Sequence, residues 1–330
     1  MVTPLLTLAS PSGRHGRLSV LAFHRVAPGP DPLYPEVMDA ERFTQICQWA
    51  ASLFTVMPLD RAVSALREGT LPERALAITF DDGYADNHHV ALPILQRLGL
   101  PATFFIATGF VDGGCMWNDI VVEAFRRTAR ASADLSDLLP EVAARPFPLD
   151  TVWPRREALE VVISAVKYMG VDRRLELVHK ISDRLEVPVP TDLMMTSSEI
   201  LEIRAGGMQV GAHTVTHPIL ANLSLLEMER EMSTSKEFLE RLLGERVPLF
   251  AYPNGKPGAD YDQRTVDLAR RVGFDAAVTT ERGAAHRGTD LFQIPRFTPW
   301  DRSRLRFGMR MLMTLWASRR AGPALAETAS

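Results

Sequence analysis

The chain has 330 residues, 37 Lys+Arg against 40 Asp+Glu for a formal net charge of -3, and 46% hydrophobic residues. Averages of this kind exclude an intrinsically disordered chain, and a charge near zero argues against a nucleic-acid-binding surface spread over the whole protein. The two cysteines, Cys47 and Cys115, have no C-x-x-C spacing, which argues against a disulfide framework or a thiolate zinc site.

Residues 1–17 read as an N-terminal extension. Their short apolar run has no positive charge before it and is broken by Pro4, unlike the core of a signal peptide. No stretch reaches the ~20 apolar residues of a membrane span, so the expected location is the cytoplasm. From residue 18 onward, short apolar runs alternate with longer helical patterns. The predicted strands are LSVLAF (18–23), FTVMPL (54–59), ALAITF (75–80), ATFFIA (102–107), MQVGA (208–212), VPLFAY (247–252), FDAAVT (274–279) and FQIPRF (292–297). Asp39 caps a helix with Phe43, Ile46, Cys47 and Ala50 at i, i+3, i+4 and i+7. Ser224 and Glu227 form a capping box for LLEMEREMSTSKEFLERLL, which stops at Gly244, and a further helix over 262–272 closes at Gly273. Such alternation predicts βα units and a mainly parallel sheet, more readily closed into a seven- or eight-stranded barrel than left open.

One interval breaks the rhythm. Between the strands at 102–107 and 208–212 the chain spends about a hundred residues where a barrel unit averages roughly 30. The surplus, about 115–200, carries helical patterns and no convincing strand, which predicts a helical insertion at the catalytic rim of a barrel spanning 18–300. Beyond it, residues 301–330 form a C-terminal helix and tail. Six arginines and no acidic residue fall between 302 and 320, and Leu305, Met309, Leu312 and Trp316 are assigned to one face. A terminal helix packed on the barrel is the first reading of that segment; peripheral contact with the inner membrane face is the second.

Chemistry collects at the C-terminal ends of the predicted strands, where barrel enzymes keep their functional groups. His24 follows the first strand, Asp81 and Asp82 follow ALAITF, His213 and His217 follow MQVGA, Tyr252 ends VPLFAY, and Arg296 lies in FQIPRF. Two charged carboxylates after an apolar run are costly unless a cation or protonation neutralises them. Two imidazoles and one carboxylate suit a divalent metal with open positions, zinc first and other transition metals after it. A metal of this kind activates water and polarises a carbonyl, and the second carboxylate can take the proton, which makes the chain a hydrolase.

TFDDG at 79–83 followed by HTVTH at 213–217 resembles the first two motifs of the polysaccharide deacetylases, the NodB-homology or carbohydrate esterase 4 family, and FAYPNG at 250–255 is similar to the third. The resemblance runs from about His24 to Phe297 apart from the insertion. It implies a distorted (β/α) barrel that removes N-acetyl groups from amino sugars with one divalent metal. It further implies that Asp81 is the general base, that Asp82, His213 and His217 hold the metal, that Thr214 supports them, and that the backbone N–H of Tyr252 helps to hold the oxyanion. Two departures follow. Phe250 stands where the third motif often has an Arg that orients the base, and Arg296 is the candidate replacement, with a rim salt bridge as the alternative. Ile294-Pro-Arg296 stands where a Leu-x-His usually supplies the general acid. His24 is the candidate there, because a subset of the family that looks circularly permuted uses an H-R at the first strand; a buried core histidine is the alternative.

His88 and His89 read as surface residues, while His15, His179 and His286 have no partner spacing. Tyr84, Asn87 and the Trp117-Asn118-Asp119 start of the insertion read either as sugar contacts or as packing. The expected function is metal-dependent N-deacetylation of an amino sugar in a glycan, glycolipid or sugar precursor, with release of acetate. An O-acetyl esterase or small-amide or formamide amidase on the same site is the nearest alternative, and a catalytically inactive sugar-binding protein is the alternative of another class.

Overall fold

The computed structural model describes residues 2–143, 145–167 and 169–317. In chain order the elements are α1 (Thr3–Ala9), β1 (Ser19–Phe23), α2 (Ala40–Leu53), β2 (Thr55–Val56), α3 (Leu59–Glu68), β3 (Ala75–Phe80), a π-helical turn (Asn87–Ala91) that runs into α4 (Leu92–Leu98), and β4 (Thr103–Ile106). There follow α5 (Trp117–Arg127), β5 (Ser132–Ala133), β6 (Phe147–Pro148), α6 (Val152–Val166), α7 (Val171–Arg184), α8 (Ser197–Ala205), β7 (Gln209–Ala212), α9 (Leu225–Leu243), β8 (Leu249–Ala251), α10 (Gln263–Arg271), β9 (Ala276–Val278) and α11 (Arg304–Ala317).

Contacts divide the chain into two compact units. The larger takes the described residues of Met1–Pro28, Asp39–Val111 and Met195–Ser330, the smaller those of Gly29–Met38 and Asp112–Met194. In the smaller unit α5 packs on α6 and α7 over a core that includes Phe125, Leu159, Val162, Val178 and Ile181. It also holds a two-residue antiparallel pair, β5 with β6, where the sequence predicted no strand. Residues 29–38, whose Leu33 joins that core, were not assigned to the insertion from sequence either.

In the larger unit seven strands form one parallel sheet in the order β1-β3-β4-β7-β8-β9, with β2 on the first two residues of β3. The strands are short and buried, as βα crossovers that cover a parallel sheet require. Predicted 292–297 is not a strand but an extended closing segment: Thr279 N–H donates to Ile294 O, while Phe297 and Val20 and then Ala22 exchange backbone hydrogen bonds at 2.8 and 3.0 Å. Residues 294–297 thus lie between β9 and β1 and join the two ends of the curled sheet. Pro295, which has no N–H, prevents a continuous ladder there. The sheet is the distorted (β/α) barrel anticipated from sequence.

Side-chain volume sets the packing of these strands. Phe80 stacks on Phe104 across β3 and β4 at 4.6 Å, and Phe43 of α2 meets Phe23 edge-on at 5.1 Å, each such pair contributing about 1 kcal/mol beyond its buried area. Gly211 in β7 sits opposite Phe105, where an added Cβ would come within 2.4 Å of the ring, so only glycine fits. Capping follows the sequence: Asp39 accepts from Arg42 N–H, and Ser224 and Glu227 close a reciprocal box on α9, which ends at Gly244 with φ 68°.

The C-terminal helix departs from its predicted face. Phe307, Gly308, Met311, Leu312 and Leu315 are the buried row, and α11 packs on α1 and α2. Of the four residues assigned to the packed face only Leu312 is buried, because Val2 and Leu53 close on Gly308, about a quarter-turn away from the predicted stripe. Leu305, Met309, Met313 and Trp316 form a separate exposed apolar row. Residues 318–330, including Arg319 and Arg320 of the basic segment, lie outside the described residues. Among those described, no helix is long and apolar enough to cross a membrane.

Candidate active site

β3 ends in Phe80, and the next two carboxylates take opposite partners. Asp81 N–H still donates to Phe23 O at 2.9 Å, so Asp81 continues the line of the sheet. Asp82 then turns away with φ 77°, and Gly83 follows with φ 87°. A left-handed conformation costs a non-glycine residue roughly 1–3 kcal/mol, and Asp82, Thr214, His217 and Asn254 all adopt it. These four lie in the motifs; Arg74, Asp112 and Glu186 share the conformation elsewhere.

Asp81 meets Arg296, which comes from the closing segment. Its Nη1 and Nη2 donate to the two Asp81 oxygens at 2.6 Å each, Nε donates to Thr279 O at 2.8 Å, and Nη1 also reaches Thr79 Oγ1 at 3.2 Å. Both side chains are buried. Burial alone would push the Asp81 pKa up; the Arg296 charge, with His213, the Arg296 hydrogen bonds and His24, outweighs it and holds the carboxyl below the ordinary range. Arg296 is therefore not a rim ion pair: it fixes the orientation of Asp81 and keeps it ionised. His24 Nε2 stands 4.0 Å from Asp81 Oδ2 with half of its side chain exposed, which excludes a buried core histidine. Its carbonyl accepts from Asn87 Nδ2 at 2.8 Å, and its neighbour Arg25 pairs with Asp86.

Asp82, His213 and His217 face one another. Asp82 Oδ1 is 3.4 Å from the Nε2 of both histidines and is buried with no hydrogen-bond partner. On His213, Nδ1 lies 2.7 Å from Ala251 O, a carbonyl that can only accept, so the proton of the neutral ring sits on Nδ1 and Nε2 presents a lone pair. Burial lowers the His217 pKa to about 4, which leaves that ring neutral at pH 7. Burial alone would favour a protonated Asp82, but the His213, His217 and His24 rings beside it hold it ionised. Burial would lower the His213 pKa, but Asp82 and Asp81 raise it, so the cluster attracts a positive charge; with both rings neutral, three lone pairs converge on that place. Their 3.4 Å spacing matches the edge of a tetrahedron of metal–ligand bonds of ~2.05 Å, about 3.3 Å. The orphaned Asp82 oxygen and this donor set fit a divalent cation.

The HTVTH loop is held from behind. Glu231 of α9 accepts from Val215 N–H, Thr216 N–H and the Thr216 hydroxyl at 2.7–2.9 Å. Thr214 Oγ1 donates to His213 O and accepts from His217 N–H at 3.1 Å. Glu231, sixteen residues beyond Val215, was missed from sequence, since a glutamate inside an amphipathic helix carries no local signal of this use.

One assignment requires correction. The Tyr252 N–H expected at the oxyanion donates to Val278 O at 3.2 Å, as part of the pairing of β8 with β9. The side chain is committed too: its hydroxyl donates to Phe292 O at 3.0 Å, its ring stacks on Tyr261 at 4.1 Å, and burial raises its pKa well above the usual value. Tyr252 is a core residue. The next backbone donor is that of Asn254, because Pro253 has none; among the described residues no acceptor faces it. Phe250 likewise packs in an aromatic group with Tyr252 and Phe274.

Of the remaining candidates, Tyr84 and Asn87 are structural. Tyr84 is buried beneath Arg25, and Asn87 is buried and holds the His24 carbonyl. In the smaller unit Trp117 carries Arg174 over its ring at 4.7 Å, Asn118 Nδ2 donates to Asp119 Oδ1, and Asp119 is buried.

The chain matches the family described as polysaccharide deacetylase over residues 68–144 and 178–277. YxkH of Bacillus subtilis (strain 168), named as a candidate polysaccharide deacetylase, is 20% identical over 282 residues, 85% of this chain and 70% of YxkH. Among solved structures, the Streptococcus pyogenes deacetylase PplD in complex with acetate superposes with a TM-score of 0.59 at 20% identity, covering 91% of this chain and 98% of PplD. IcaB from Ammonifex degensii gives 0.58 at 18% identity, covering 94% and 98%. At these identities the structural likeness establishes the shared fold.

Proposed function

Because this chain belongs to the polysaccharide deacetylase family, hydrolases of carbon–nitrogen bonds, we propose that it removes the N-acetyl group of an amino sugar at a divalent-cation site formed by Asp82, His213 and His217. The observation that carries this reading is the buried, unpartnered Asp82 Oδ1 facing two imidazole nitrogens beside the Arg296-clamped Asp81. When bound, the cation supplies Lewis acidity, acidifying water and polarising the acyl carbonyl; zinc suits this donor set first. Asp81 takes the proton of the attacking water, held in place by both Arg296 nitrogens. The Asn254 N–H donates to the acyl oxygen as negative charge develops there. His24, half exposed and next to Asp81, gives a proton to the departing amine, and acetate and a free amino sugar leave.

Acetate release from N-acetylglucosamine oligomers and glycolipids, with and without a chelator, tests this. Full activity in Asp82→Ala or in metal-free protein would overturn it. Faster cleavage of an O-acetyl sugar than of its acetamido counterpart would favour the esterase reading, and sugar binding without any acyl hydrolysis the non-catalytic one.

The exposed row on α11 favours a place for this reaction at an anionic lipid surface. Leu305, Met309, Met313 and Trp316 lie along one face, with Arg302, Arg306 and Arg310 on its flank. A groove of about 590 Å³ beside them is lined by Arg282, Arg306 and Met309 and by Arg310 with Asp301, which pair at 3.1 Å; Arg282 and Arg306 are the charges it offers to phosphate headgroups. The substrate on this reading is an amino sugar carried on a lipid. Co-sedimentation with vesicles containing anionic phospholipid, lost in Leu305→Ser with Trp316→Ser, is the expected result. Equal binding to neutral vesicles, or dimerisation through this face instead, would overturn it.

A further inference from the structure

A second group of imidazoles lies outside the site described above. His88 and His89 occupy the π-helical turn after β3, and Glu199 and Glu202 occupy the first turns of α8. Adjacent residues of a helix diverge by about 100°, yet these two rings meet edge to face at an interplanar angle of 77°. Their ring centroids are 5.0 Å apart.

One hydrogen position is fixed by its partner. His88 Nε2 lies 2.9 Å from Glu202 Oε2, and His89 Nε2 lies 2.8 Å from Glu199 Oε1. A carboxylate oxygen only accepts, so the His88 Nε2 that faces Glu202 carries the hydrogen and the neutral His88 ring has a bare Nδ1; the His89 Nε2 lies beside Glu199 Oε1 without forming a hydrogen bond to it. The Nδ1 atoms of the two rings stand 3.3 Å apart, with Glu199 Oε1 3.7 Å from that of His88 and 2.8 Å from the His89 Nε2. The bare His88 Nδ1 thus faces a second ring nitrogen and a carboxylate oxygen, a space filled either by a hydrogen carried on His89 or by a cation. The Glu202 carboxylate behind His88 is also the support that metal-ligating histidines usually have. Glu199 is itself immobilised, since its other oxygen accepts from Thr196 N–H and Oγ1 at 2.7 and 3.0 Å.

We propose that His88, His89 and Glu199 form a second divalent-cation site, with His88 Nδ1, one ring nitrogen of His89 and a Glu199 carboxylate oxygen as donors and Glu202 positioning His88. The donor atoms all lie within 4.8 Å of one another. The 3.3 Å separation of the nitrogens matches the edge of a tetrahedral zinc site, about 3.3 Å, and imidazole with carboxylate selects zinc, nickel or copper over magnesium or calcium. The His89 side chain is 59% exposed, so the site is open to solution and completed by water. Its occupant ties α8 to the turn that contains Asn87, whose amide holds the His24 carbonyl. The site therefore acts as a clasp on the strand-end loops and has no open substrate chemistry of its own.

Zinc titration of the full, untagged, chelator-stripped chain tests the proposal by calorimetry and by thermal unfolding. The expected result is two zinc equivalents, falling to one in His88→Gln with His89→Gln, while Asp82→Asn loses the other equivalent and keeps this one. The second equivalent raises the unfolding temperature of the wild type by roughly 5 °C at saturating zinc, and not that of the double variant. His89→Gln alone, at the exposed position, gives the same reading should the double variant fold poorly. Equal stoichiometry in wild type and both histidine variants, or binding of a proton only, would overturn the second site without touching the first; full deacetylation in Asp82→Asn would overturn the first without touching the second.

Discussion

The two imidazole–carboxylate clusters share a donor set and differ in everything that surrounds it. Asp82, His213 and His217 hang from strand ends in strained backbone, are largely removed from water, and have one ring orientation set by the Ala251 carbonyl. His88, His89 and Glu199 project from helical turns in relaxed backbone, partly in solvent, and their orientation comes from side-chain carboxylates. The contrast shows what separates a reaction centre from a clasp. Burial removes competing water and strengthens every electrostatic interaction, and a loop at a strand end leaves coordination positions open beside a base. An exposed helical cluster can bind an ion but has neither a base nor a shielded cavity.

Removing one buried ligand tests the contrast most severely. Asp82→Ala should lower acetate release by roughly a thousandfold and abolish cation binding at that cluster, with zinc uptake by the exposed cluster unchanged. Next in size is Arg296→Met, which leaves the Asp81 charge buried and unpaired. Turnover should fall about a hundredfold and stability by about 3–5 kcal/mol in denaturant melts, with part of the stability recovered in Arg296→Met with Asp81→Leu. Loss of support should matter less than loss of a ligand: Glu231→Gln, which loosens the HTVTH loop, should weaken cation binding at the buried cluster about 10- to 100-fold by competition titration. The same exchange at Glu202 should act only on the exposed cluster, by about tenfold.

The smallest effect separates the catalytic chemistry from ordinary ion pairing. Burial alone would raise the Asp290 pKa, but Arg270, with the Phe292 N–H and Gln293, holds it below its usual value. The folded chain thus takes up this proton at lower pH than the unfolded one. The Asp290 contribution is whole above about pH 4 and fades as pH falls through the lowered value. Asp290→Asn should cost no more than about 1 kcal/mol at pH 7, and its melting curve should converge on the wild type towards pH 3.

Legibility from sequence followed the range of the interactions. TFDDG and HTVTH could be read because a strand end, a carboxylate pair and an imidazole pair are local patterns, and the βα rhythm made the sheet legible in the same way. What was hidden depends on partners far along the chain. The Tyr252 N–H looked free until β9 took it, and the packed side of α11 was set by α1 and Leu53 meeting Gly308, which hydrophobic spacing alone does not rank. His88 and His89 read as plain surface because their carboxylates lie more than a hundred residues away on α8. The Asp81–Arg296 clamp was found only as a candidate, since a 215-residue separation gives no geometry.

That clamp also links chemistry to assembly. The guanidinium that orients Asp81 belongs to the same four-residue segment that bridges β9 to β1, so the sheet cannot be left unjoined while the base is correctly held. Closing so long a loop is among the slowest contacts a chain makes. Orientation of the base therefore depends on closure of the barrel, and a chain whose 294–297 segment is undocked would lack an oriented base even with its cation ligands in place.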